Sequence, residues 1–161
     1  MAANELLGIY LNDHLAGSAA GLELAEKLRD NNQGTELGKV MAALYHDIEQ
    51  DRSVLEELMG QLEVDRHPVK EAAGWVLERL SRLRLNPALT GSADLTRLLE
   101  TEALSLGIEG KLRMWLALKE VAASDHRLAA TDYDRLIERA RTQRSTLEPH
   151  RLAAALRSFS A

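Results

Sequence analysis

Apolar side chains recur along most of this chain at intervals of three and four, the period of a helix with one buried face. Five helical stretches follow from that spacing and its punctuation. The first runs from about residue 4 to 30 and stops at the turn-forming cluster Asn31-Asn32-Gln33-Gly34. The second starts after Thr35, which suits an N-cap, and reaches about Leu62. The third is shorter, with Pro68 in its first turn and an end before Asn86-Pro87. Gly91-Ser92 opens the fourth, about residues 93 to 123. The fifth begins at Thr131-Asp132-Tyr133-Asp134, a capping box with Asp in the Glu position, and runs towards Ser158 with an expected kink at Pro149.

Four of these stretches match in length, at roughly 27 to 30 residues or about 40 Å each. Short loops join the first to the second and the fourth to the fifth, so each pair is predicted to be an antiparallel hairpin. Residues 63–92 between the hairpins are long enough to cross a bundle from end to end. The expected fold is all-α: one domain over residues 1–161, a four-helix bundle with a long crossover carrying a short extra helix. An up-down five-helix bundle is the alternative.

Placing side chains at about 100° per residue shows which polar groups fall on apolar faces. In the first stretch the stripe holds Leu7, Tyr10, Leu11, Leu22, Ala25 and Leu28, with His14 at its centre and Ser18 and Gly21 beside it. The second stripe contains Asp51 among Leu44, Ile48, Leu55 and Leu58, while His46 points away. In the fourth, one stripe carries Leu98, Glu102, Ser105, Glu109 and Leu116. In the fifth, Arg144 and Arg151 share the face of Tyr133, Leu136, Ile137, Ala140 and Leu147. His14 and Asp51 stand at matching distances from the first turn, and Glu109 and Arg144 fall mid-helix. The predicted central layer is therefore His14, Asp51, Glu109 and Arg144, with Glu102 and Arg151 paired about two turns away.

Composition narrows the chemistry. At 161 residues, with 45% hydrophobic and 28% charged side chains, the chain can bury a core. A formal charge of −5 argues against a nucleic-acid partner, whose phosphates need neutralising. There is no cysteine, which excludes disulfides, thiolate metal sites and cysteine nucleophiles. No apolar run approaches a membrane span, and Asn12 and Asp13 interrupt the N-terminal region where a signal peptide would be apolar. The expected setting is cytoplasmic. No serine pairs with a histidine in a nucleophile elbow, and no Gly-rich phosphate loop follows a strand.

The Tyr10 to Gly17 segment, Tyr-Leu-Asn-Asp-His-Leu-Ala-Gly, and the Leu106 to Lys111 segment, Leu-Gly-Ile-Glu-Gly-Lys, carry a resemblance. With the helix layout and the inward carboxylates, the chain resembles an uncharacterised bacterial family of ferritin-like proteins. The resemblance covers the four long helices and implies a fold more than an activity. Metal-binding members place a Glu-x-x-His pair on each of two helices, so that both side chains reach one metal pair. None of the five histidines here has a glutamate three residues before it. Arg144 cannot ligate a metal and repels one.

The expected role is thus a non-catalytic bundle with a buried salt-bridge layer and no cofactor. In that layer Arg144 would bridge Glu109 and Asp51. The alternative is an iron or manganese site formed by His14, Asp51 and Glu109, serving redox or stress chemistry. A homodimer is the expected assembly, with any other protein partner unidentified. Gly17 and Gly21, like Gly107 and Gly110, interrupt helices at some cost, which close helix crossing or room beside His14 would justify. Trp75 and Trp115 are read as packing residues or subunit anchors, and Arg79, Arg82 and Arg84 as a solvated basic face.

Overall fold

A computed structural model describes residues 3–67 and 92–160. Four long helices account for most of them: α1 (Ala3–Asn31), α2 (Glu36–Gln61), α3 (Ala93–Ala122) and α4 (Tyr133–Phe159). A short 3-10 turn, His126–Leu128, precedes α4, and there is no strand among the described residues. The third predicted stretch, with Pro68, Trp75 and the arginines at 79, 82 and 84, lies outside the described residues. So does the extra helix expected in the crossover.

Local chemistry sets the helix ends. Thr35 caps α2 by accepting from the Gly38 backbone N–H at 3.1 Å, and Ser92 caps α3 by accepting from Leu95 N–H at 3.2 Å. The cap of α4 is Asp132, which accepts from Arg135 N–H at 3.1 Å; the predicted capping box is therefore displaced by one residue from Thr131. The α4 helix continues through Pro149 to Phe159. Proline removes one backbone donor there, at an exposed position where water can serve the freed carbonyl.

Contacts at the two ends give the helix directions. Asn4 Nδ2 donates to the Leu62 carbonyl at 3.5 Å, so α2 ends where α1 begins. At the other end Arg97 Nε donates to Asn32 Oδ1 at 2.9 Å, so α3 starts beside the α1–α2 turn. Helices α2 and α3 therefore run parallel, and α4 runs in the same direction as α1. After Leu62 the chain turns back along α1. Asn12 Nδ2 donates to the Asp65 carbonyl and Asn12 Oδ1 accepts from the His67 N–H, at 2.9 and 2.8 Å. Leu62 and Ser92 thus stand at opposite ends of the bundle.

The closest packing lies within the hairpins α1–α2 and α3–α4; α1 also meets α3, and α2 meets α4. The core they share includes Leu11, Leu28, Met41, Leu58, Trp115 and Leu147, all at most 1% exposed. Each such side chain contributes roughly 1.5–3 kcal/mol through burial. Tyr10, predicted to lie in the α1 stripe, is 36% exposed; the buried line runs instead through Leu11, Leu15, Leu24 and Leu28. No helix among the described residues is long and apolar enough to cross a membrane.

The glycines fall into two kinds. A Cβ at Gly38 would stand 2.2 Å from the Asn32 carbonyl oxygen, so the turn packs directly against α2 there. At Gly17 and Gly107 a Cβ would meet nothing within 4 Å. Gly38→Ala is expected to lower unfolding free energy by about 1–3 kcal/mol through overpacking. Gly107→Ala should raise it by up to about 1 kcal/mol. Urea unfolding midpoints of the two variants test this, and equal effects of one sign would refute it.

Candidate functional site

Asp51 is the most buried charged side chain of the described residues, at 2% exposure. It occupies the α2 stripe between Ile48 and Leu55, both in the core. Its Oδ1 accepts from Arg139 Nη2 of α4. Its Oδ2 accepts from Lys111 Nζ of α3 at 2.5 Å and from Gln143 Nε2 of α4 at 3.3 Å. Gln143 Oε1 in turn accepts from Lys111 Nζ at 2.6 Å, and Arg139 Nη1 donates to Gln50 Oε1 at 2.8 Å. Asp47, one helical turn before Asp51, takes a longer bond of 3.4 Å from Gln143. One carboxylate thereby joins three helices. Burial pushes the Lys111 ammonium pKa below its ordinary value, and the Asp51 charge opposes that shift.

This cluster differs from the predicted layer. Glu109 and Arg144 do pair, and Glu109 also accepts from Arg113 at 2.7 Å, but neither reaches Asp51. Their side chains are 26% and 44% exposed, on the outer seam of α3 and α4. They form one rung of a ladder along that seam. Lys119 meets Asp134 at 2.6 Å, Arg151 meets Glu102 at 3.0 Å and Arg157 meets Asp94 at 2.8 Å. The reason is angular. The buried line of α3 runs through Leu104, Ile108, Leu112 and Trp115, about one residue and 100° from the line through Glu102 and Glu109. In α4 the buried line passes through Gln143, next to Arg144. Lys111, Arg139 and Gln143 were missed for that reason. Lys111 and Gln143 had a signal: each lies seven residues after a core leucine, Leu104 and Leu136 respectively.

His14 is half-buried and belongs to a different feature. Its ring meets Tyr10 edge to face at 4.7 Å between centroids. It lines a cavity of about 210 Å³ between α1, α2 and α3. Asp51 and Lys111 border the same space, with Leu24, Ile48, Leu104 and Met114 supplying apolar wall. Desolvation lowers the His14 pKa from its ordinary value of 6.5, and neighbouring Asp13 opposes that. The Trp115 indole N–H and the Arg139 Nε–H are buried without a hydrogen-bond partner.

The iron or manganese site expected as an alternative from His14, Asp51 and Glu109 is not assembled. Among the described residues no three His, Asp or Glu side chains gather to hold a metal ion. Both Asp51 oxygens already accept from cationic donors, and Glu109 points to the opposite seam. Comparison with known proteins finds no matching family model, no matching curated protein and no matching solved structure.

Removing Asp51 leaves two cations without their shared anion. Asp51→Ala is expected to cost about 3–5 kcal/mol in chemical unfolding. Glu102→Ala on the exposed ladder should cost less than about 1 kcal/mol. Comparable losses at the two positions would contradict the assignment of Asp51 as the central link. His14 gives a second expectation. Its folded pKa lies below its unfolded one, so the unfolded chain takes up the proton first as pH falls. Stability from this group is present above pH 6.5 and is lost as pH drops through the folded value. His14→Phe should flatten the acid limb of a stability–pH curve; an unchanged limb refutes this.

Proposed function

We propose that the chain is a non-catalytic helical bundle of the ferritin-like type, with a buried salt-bridge cluster in place of a dinuclear metal centre. The observation that carries the reading is the Asp51 carboxylate, 2% exposed and accepting from Lys111 and Arg139 on two other helices. Arginine cannot ligate a metal, and a cation so placed repels one. Helix order supports the layout: two antiparallel hairpins with the second and third long helices parallel, the arrangement of a bundle with one long crossover. A ferritin-like bundle builds its metal site from inward carboxylates. Here Asp51, the most buried carboxylate among the described residues, is consumed by the protein's own cations.

Such a cluster serves specificity more than net stability, since desolvating its charges offsets most of their attraction. The chain is further proposed to pair with a second copy. Leu152, Leu156 and Phe159 of α4 recur at helical spacing and are 52%, 67% and 73% exposed. Such a stripe is costly to leave in water.

Native mass spectrometry of untagged protein, purified without chelator and then incubated with Fe(II) and Mn(II), tests both parts. The expected species is a metal-free dimer that becomes monomeric in Leu156→Glu. One metal per chain, lost in Asp51→Asn, would overturn the salt-bridge reading. A wild-type monomer would overturn the pairing.

A further inference from the structure

Two apolar stripes stay exposed on the outside of the bundle. One is Leu152, Leu156 and Phe159 at the end of α4. The other is at the start of α1, where Leu6 and Ile9 are 52% and 51% exposed and Tyr10 stands beside them. Spacings of three and four residues keep each set on one helix face. A single exposed leucine is ordinary, but a row of large apolar side chains marks a contact surface.

Neither stripe can cover the other within one chain. Asn4 donates to the Leu62 carbonyl, so α1 starts at the end of the bundle where α2 finishes. Arg157 meets Asp94 in the first turn of α3, which begins beside the α1–α2 turn, so α4 finishes at the opposite end. The stripes therefore stand about 30 Å apart along the bundle. Helices α1 and α4 also occupy diagonal corners, since each packs chiefly on α2 and α3.

Their charges are complementary. Every charged side chain of α1 before Lys27 is acidic, and Glu5 and Asp13 are exposed next to the stripe. After Glu148 every charged side chain of α4 is basic, with Arg151 and Arg157 flanking the stripe. Arg157 remains half exposed even with Asp94 beside it. Two α4 stripes packed on each other would set these arginines against their own kind, and like charges across an interface are costly. The start of α1 offers the opposite sign.

We propose that the end of α4 in one copy docks on the start of α1 in a second copy. Two copies laid antiparallel about a two-fold axis bring each α1 start beside the other's α4 end, so both contacts form together and the pair closes. The apolar side chains supply the affinity, and the charged flanks select α1 over a second α4. The inference rests on the pairing proposed above and says what the α4 stripe packs against.

Sedimentation of the full chain tests it with two exposed-site variants, Ile9→Lys on α1 and Leu156→Glu on α4. The wild type is expected to be a dimer, and each variant should raise the dimer dissociation constant about 10-fold or more. Mixed in equal amounts, the two should form a heterodimer, identified by its mass. There the intact α4 of one meets the intact α1 of the other, and the two introduced charges are opposite. Circular dichroism should stay helical in both variants; Leu6→Lys replaces Ile9→Lys should that one lose helicity. An α1 variant that dimerises as tightly as the wild type overturns the inference and leaves pairing through α4 standing. Variants that stay apart when mixed overturn it as well. A wild-type monomer overturns the inference together with the pairing, and leaves the stripes to a different partner.

Discussion

A carboxylate at 2% exposure in the middle of a helix bundle cannot stand alone, and Asp51 dictates what surrounds it. Removing an isolated charge from water is prohibitive unless it is paired and hydrogen-bonded. Asp51 meets that demand with two cations and an amide drawn from α3 and α4. Since α2 belongs to one hairpin and α3 and α4 to the other, the requirement is a constraint between hairpins. Sliding one hairpin by a turn, about 5.4 Å, would leave at least one charge buried without its partner. Leucine and methionine fill the rest of the interface, and such contacts tolerate a slipped register far better than a charge does.

The electrostatic work is divided by depth. On the outer seam of α3 and α4, four pairs from Lys119–Asp134 to Arg157–Asp94 keep that hairpin in alignment. Their partial exposure makes each weak and sensitive to salt. Inside, the Asp51 cluster ties α2 to the other hairpin and is largely shielded from screening, and the buried Glu100 of α3 pairs with Lys27 of α1. The seam holds neighbours in sequence, which the loop between them already brings together. The cluster holds elements that the loop cannot align.

How much of this was readable before the structure depends on the periodicity of each helix. Asp51 was legible because α2 has a narrow apolar stripe, and a single acidic residue inside it stands out. The α1–α2 turn was legible because Thr35 and Gly34 supply a cap and a positive φ of 78°. In α3 the apolar residues cover more than one face, so two stripes about 100° apart fit almost equally well. Choosing the one through Glu102 and Glu109 moved the predicted layer from the centre to the seam. A Lys on the other stripe, Lys111, was the mark of the correct choice, because a buried carboxylate needs a cation at its own level. The same slip in α4 exchanged Gln143 for Arg144. Heights along the bundle were less error-prone than angles around it: Glu102 and Arg151 do meet, on the seam rather than in the core.

The glycines carry the argument a step further. A helix former accepts glycine mid-helix either because a neighbour's backbone comes too close or because space is wanted. Gly38 is the first case, against the Asn32 carbonyl. At Gly17, Gly107 and Gly110 no neighbour's backbone comes close, and Gly17 and Gly107 are exposed to solvent. A bundle that only needed to fold could have placed alanine at all three glycines and an aliphatic side chain at Asp51, and would have been more stable for it.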